Sequence, residues 1–347
     1  MSVAARDGAA AVGAPPQLEI PPAPSSLLRA TQRALAAGST RAIVSGSGAP
    51  LEFGRDNSDR PVTSRARVLE ERVVRAHAVV GAPATTFTAF LDGVQRSVRV
   101  GHDGIAPLVL GTTAAVVRTR RDARMHTWDD GHIRHEKLYV PAALVAAGVM
   151  ERLVGYHGAI VNTLDGVDPA TVEHHPLALE RLAYEAVLGD RERIERALGE
   201  AWCTRGDGPL YIDGPLVGEV LTRASNAIGV IKSHFTLHVA GDDLLTVLAL
   251  QAGERSTVLE VAARESRPAV ATWYLRLRDP AGHDPLWGLV RVEAALDAGG
   301  GQRPGARADE WSRMVLAEVR PLALPDARWD KMAYPIRDCE EFLRATL

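Results

Sequence analysis

The chain has 347 residues, 46% of them apolar and 24% charged, with a net charge of −3; this is the make-up of a globular protein of about one or two domains with no global attraction for nucleic acid. No run approaches the ~18 uninterrupted apolar residues of a membrane span, and no basic segment leads into an apolar core at the N-terminus, so a cytoplasmic protein is expected. Two cysteines, Cys203 and Cys339, without a CxxC pair, argue against a structural zinc site or a disulfide framework.

In chain order, residues 1–25 are rich in Ala, Pro and Gly and read as a disordered tail. Ser26 caps an expected helix to Ala37 with Leu27, Leu28, Thr31 and Leu35 on one face, and Gly38 ends it. After a polar stretch (46–63), Ser64 starts a second expected helix, to Val80, with Val68, Leu69, Val73 and His77 at periodic positions. Residues 26–84 thus read as an N-terminal helical segment ahead of a domain spanning 85–347.

Within that domain the β-branched runs 86–92, 96–100 and 105–118 predict three strands. A polar region follows, with a hairpin signal at Asp130-Gly131, and then helices over 141–154, 176–188 and 191–202. Strands are expected again at 210–213, 228–232, 269–278 and 287–295, then a glycine-rich loop (298–307) and a helix over 308–319. Strands, then helices, then strands predict an α/β fold, a mixed sheet with flanking helices and helical insertions.

Two of the apolar runs end on the same dipeptide: ThrPheThrAlaPheLeu before Asp92-Gly93, and LeuTyrIle before Asp213-Gly214. Asp-Gly is a common turn pair, and it recurs at residues 7, 103, 130, 165 and 207, mostly in polar surroundings. A strand that delivers a carboxylate at its end, followed by a glycine that lets the chain turn away, presents an acid to a metal. A two-metal phosphodiester site needs several carboxylates around magnesium or manganese, which prefer oxygen donors. The helices between the two strands offer Glu180, Glu185 and Glu195. Glu180 and Glu185 are about 140° apart around a helix and cannot serve one site together. Glu185, between Leu182 and Leu188, is the expected choice, with Glu195 its competitor.

The ordered motifs PheLeuAspGlyVal (90–94), LeuTyrIleAspGlyProLeu (210–216) and IleGlyValIleLysSerHis (228–234), with TyrLeuArgLeuArg (274–278), GlyLeuValArgValGlu (288–293) and TyrPro (334–335), resemble the NurA nuclease domain over roughly residues 85–345. The resemblance implies a ribonuclease H-like fold and a Mn2+- or Mg2+-dependent DNA nuclease, both exonuclease and single-strand endonuclease. It also implies a homodimer docked on a hexameric HerA-type ATPase, in DNA end resection and repair or in antiphage defence. By position Asp92 and Asp213 would be the strand carboxylates, Glu185 the helix carboxylate, and Lys232 a phosphate contact. Lys232 is one of three lysines, against 37 arginines.

The chain departs from the family pattern in two places. Val94 stands where serine is common, and the segment after TyrPro lacks the usual histidine, leaving Asp338 or Glu341 as stand-ins. A catalytically weak structural or regulatory subunit of a translocase, or an activity on RNA–DNA hybrids, are the alternative readings. His126, His132 and His135 match no helical metal spacing. Arg118, Arg120, Arg121 and Arg124, with Trp128 beside them, form the densest basic patch, the composition of a single-strand track or of a solvated loop.

Overall fold

The computed structural model describes residues 24–38, 42–43, 61–168, 171–205, 208–263, 267–296, 303–319 and 329–346. Most of the expected tail, the polar stretch before residue 61 and residues 298–302 of the expected glycine-rich loop lie outside these residues; from Pro304 on, the segment expected as loop is already helix.

The core is a mixed sheet of thirteen strands among the described residues. Its first part is a meander of three long strands, β1 (Ala89–Asp103), β2 (Ala106–Arg121) and β3 (Arg124–Val140). The sequence suggests three shorter strands and a polar region here. The two expected strands at 86–92 and 96–100 merge into β1, and the polar region becomes β3, because backbone pairing with β2 runs along nearly its whole length. Asp122 and Ala123, with φ of 49° and 59°, make the two-residue turn between β2 and β3. Asp130-Gly131 is therefore no hairpin; it lies where the pairing register of β2 with β3 shifts, between Val116 and Arg118.

The second part is built from β4 (Leu210–Asp213), β5 (Ala227–Ile231), β6 (Val270–Arg276) and β7 (Leu289–Ala295). Across the sheet these strands run β3-β2-β1-β4-β5-β7-β6. Strands β1, β4 and β5 are parallel neighbours, and β2 is antiparallel to β1. An order of 3-2-1-4-5 with the second strand reversed is the ribonuclease H-like connectivity.

The four longest helices among the described residues flank the sheet: α1 (Pro24–Gly38), α2 (Pro176–Arg205), α3 (Pro304–Glu318) and α4 (Tyr334–Thr346). Alternation along the strands decides which face meets which helix. Leu91, Val117 and Ile212 point to α2, where Ile194, Leu198 and Trp202 receive them. Phe90, Val116 and Tyr211 point the other way, into a core with Trp311, Ile336 and Leu343 from α3 and α4. Leu27 and Leu35 of α1 cover Leu108 and Leu138 at the far end of the meander.

The two helices expected at 176–188 and 191–202 are one 30-residue helix. Gly189 costs a helix about 1 kcal/mol relative to alanine, while Asp190 beside it is buried and accepts hydrogen bonds from Tyr139 and from Lys137 at 3.0 Å, so packing holds the helix straight through. The helix expected over 64–80 does not form. Arg67–Val68 and Ala76–Ala78 pair instead with Leu259–Val261 and Glu254–Ser256, where backbone partners outweigh helical periodicity. No helix of the described residues is long and apolar enough to cross a membrane.

Candidate metal centre

Strands β1 and β4 run parallel in register, with Leu91 opposite Ile212, so the next residue on each, Asp92 and Asp213, meet side by side. Gly93 donates its N–H to Asp92 Oδ1 at 2.8 Å. After Asp213 the chain turns at Gly214, with φ of 140°, which a side chain would strain. The turn is fixed from below. Gly214 donates its N–H to Val230 O at 3.0 Å, and Leu216 N–H bonds Glu293 Oε2 at 3.0 Å. A Cβ on Gly229 would lie 2.5 Å from Gly214 O, so only glycine lets the turn rest on β5.

The third carboxylate comes from α4. Beyond Pro335 in its first turn, the buried positions of that helix are Ile336, Cys339, Glu340 and Leu343, an i, i+3, i+4, i+7 stripe in which Glu340 is the one acid. Arg118 pins the helix to the meander through Asp338, at 2.6 Å, and stacks over Phe342. Carboxylate oxygens of Asp92, Asp213 and Glu340 lie within 4.8 Å of one another. Arg344, one turn on, reaches Glu340 Oε2 at 3.4 Å.

A fourth acid approaches from the opposite face. Glu195 of α2 lies over Gly93, packed so closely that a Cβ there would sit 2.2 Å from Glu195 Oε1. Arg191 is 3.1 Å from that oxygen, but among the described residues no hydrogen bond satisfies it.

Burial and like charge dominate the electrostatics. Asp92 is 6% exposed, and loss of water, the neighbouring Asp213 charge and the charge of Glu195 push its carboxyl well above the ordinary range, against the opposing pull of Lys232 and the Gly93 N–H. Burial likewise raises Glu195 to about 7, with Arg191 opposing and Glu192 and Asp213 adding to the rise. Lys232, one residue past β5, donates from Nζ to Asp213 Oδ2 at 2.9 Å.

A cluster of carboxylates without sulfur or imidazole suits a hard divalent cation such as Mg2+ or Mn2+. The fit shows in Asp92 itself, since a buried carboxylate among like charges is relieved by a cation at the same place.

Of the residues singled out from the sequence, Asp92, Asp213 and Lys232 come together. Glu185 does not. It points away from the sheet and pairs with Arg181 at 2.9 Å, half exposed, because the buried stripe of α2 runs through Glu180, Ala183, Val187, Asp190 and Ile194. Glu180 is buried elsewhere, bonded to Arg99 at 2.8 Å and close to His102. The competitor Glu195 lies over Gly93 on the α2 face of the sheet, outside the Asp92–Asp213–Glu340 cluster, and its charge is felt at Asp92.

Neither suggested stand-in for the missing histidine reaches it: Asp338 holds Arg118, and Glu341 is exposed beside Arg337. Glu340 between them was missed. His132 and His135 pair with Val116 and Thr113, on opposite faces of β2, and cannot share an ion. Arg118 and Arg120 are bound to Asp338 and Glu318, and Trp128 is buried against Trp202, which removes it as a base-stacking platform.

No family model matches the chain, and no curated protein matches it. Among solved structures it is similar to the crystal structure of the NurA nuclease from Sulfolobus solfataricus, at 10% sequence identity and a TM-score of 0.44, over 77% of this chain and 81% of that one.

Proposed function

We propose that the protein is a divalent-metal-dependent DNA nuclease, with Asp92, Asp213 and Glu340 as the ligand set and Glu195 as a further carboxylate toward the same centre. The observation that carries this reading is the meeting of Asp92, Asp213 and Glu340 within 4.8 Å at the heart of a ribonuclease H-like sheet. A bound Mg2+ or Mn2+ would polarise a phosphodiester and lower the pKa of an attacking water.

The chain's own residues supply the rest. Asp92 and Asp213 are held by strands, so their spacing is fixed by the sheet and costs no reorganisation. Glu195, with its proton held to about 7, is suited to accept a proton from water near neutral pH. Lys232 brings a positive charge to the position a substrate phosphate would approach.

The resemblance of the sequence motifs to NurA nucleases supports a homodimer that receives DNA from a ring-shaped HerA-type ATPase. The net charge of −3 fits a nuclease that depends on a partner to raise its local DNA concentration.

The test is digestion of linear double-stranded and single-stranded DNA with Mn2+, Mg2+ or EDTA, with and without the ATPase. Nucleotide release that requires the cation and rises with the ATPase is expected. No cleavage of either DNA in any cation, with or without the ATPase, would overturn the nuclease reading.

A further inference from the structure

The carboxylate cluster already has a cation of its own. Lys232 Nζ lies 2.9 Å from Asp213 Oδ2, with the lysine side chain 11% exposed and the aspartate 16% exposed. Its charge is also felt at Asp92, where it opposes the effect of burial. A lysine at this place is a chemical choice: its ammonium is a compact point charge on a flexible stem, whereas the planar fork of arginine binds a carboxylate side-on and in one orientation. The chain uses arginine almost everywhere else.

We propose that Lys232 competes with the divalent cation for Asp213, and that cation binding frees its ammonium to meet a phosphate of the DNA backbone. This rests on the metal-site reading of Asp92, Asp213 and Glu340 given above. A cation on Asp213 would put two like charges against one carboxylate, and the separation that relieves them is a rotation of the lysine stem.

Once turned away, the ammonium has lost its carboxylate and lies next to the place where the scissile phosphate would sit. DNA would then restore its partner. Cation and DNA binding become mutually reinforcing, since each removes a cost the other would otherwise meet. The two roles that seemed to conflict, a lysine tied to an aspartate and a lysine for phosphate, are successive positions of one side chain.

The experiment is calorimetric titration of Mn2+ into the full-length protein without DNA, for the wild type, Lys232→Met, Lys232→Gln and Lys232→Arg. Removing the competitor should tighten Mn2+ binding by about tenfold or more in the Met and Gln variants, while Lys232→Arg, which keeps the charge, should show no such tightening. The Gln variant, which keeps a hydrogen-bond donor, covers the case in which the Met variant does not fold.

Mn2+ binding that is unchanged or weaker in the neutral variants would overturn the proposal and leave Lys232 as a residue that positions Asp213. Absence of Mn2+ binding in the wild type and in every folded variant is a different result, and it would remove the metal site itself. A second arm titrates a noncleavable phosphorothioate oligonucleotide with Ca2+ present or absent. The oligonucleotide should bind several-fold tighter with Ca2+ to the wild type, and the gain should shrink in Lys232→Met; an equal gain in both would overturn the release step.

Discussion

Gly93 lies directly beneath Glu195. A Cβ at residue 93 would stand 2.2 Å from Glu195 Oε1 and 2.8 Å from its Cδ, so the first Asp-Gly pair is needed for more than a turn: the glycine is the gap through which an acid from α2 reaches the strand that carries Asp92.

Gly93→Ala should therefore push the Glu195 carboxylate aside. The displaced atoms are the end of a flexible side chain, so thermal denaturation should show a loss of only about 1–2 kcal/mol. Cation-dependent DNA cleavage should fall by about tenfold or more, because catalytic groups misplaced by an ångström lose that much. Wild-type cleavage by the alanine variant would separate Glu195 from the chemistry.

Glu195→Gln should abolish most cleavage, while Glu185→Gln should leave it near the wild type, since Glu185 is half exposed and paired only along its own helix. Nucleotide release measured side by side decides between the two.

Glu195 also predicts a pH dependence of stability. Its carboxyl is raised from 4.5 to about 7 in the folded protein, so the native state binds this proton more tightly than the unfolded chain does. The stability it contributes is fully present below about 4.5 and is lost as pH rises through 7, a change on the order of 3 kcal/mol. Asp92, raised for related reasons, acts in the same direction. Melting curves from pH 5 to 8 in EDTA should show the wild type falling more steeply than Glu195→Gln; parallel curves would contradict the assignment.

Asp92→Asn, Asp213→Asn and Glu340→Gln should each lower cleavage by about a hundredfold or more. Glu341→Gln, one residue along α4 on the exposed side, should not. Manganese affinity from electron paramagnetic resonance should follow the same division.

Away from the site, Arg255→Met should destabilise the fold by about 3–5 kcal/mol, as expected when one partner of a buried ion pair is removed. Arg255 is 2% exposed and bonds Glu70 at 2.8 Å and Asp309 at 2.6 Å, tying the loop before Ala76–Ala78 to α3. Chemical denaturation reads this directly, with Arg223→Met, an exposed arginine paired only along its own helix, as the control.

Asp92 and Asp213 were legible because each closes a short β-prone run with a glycine, a pattern that is local to the chain. The helix acid was harder to read. Choosing Glu185 assumed that Leu182 and Leu188 face the sheet, yet α2 is a single long helix whose inward stripe also carries Glu180 and Asp190, both neutralised by partners far away in sequence. Polar residues on the buried side blurred the periodicity that would have set the register.

Glu340 carried a usable signal. With Ile336, Cys339 and Leu343 it completes a stripe of helical spacing, and a lone acid in such a stripe needs a reason. Its neighbours Asp338 and Glu341 lie off that stripe. Strand β3 was unreadable for another reason: its polar residues are tolerated because β2 supplies its backbone partners, and pairing between strands leaves little trace in composition.

The three acids of the triad sit well over a hundred positions apart along the chain, on two strands and a helix. No local segment can assemble them, so an unfolded molecule offers a cation only scattered, weak contacts. Every increment of affinity for the ion is then also an increment of folding free energy. The acids repel one another most once the sheet has closed and α4 has docked, so a bound cation would offset that repulsion in the folded state alone; metal would act as a latch on a finished structure, and its release would be felt first as a loosening of α4.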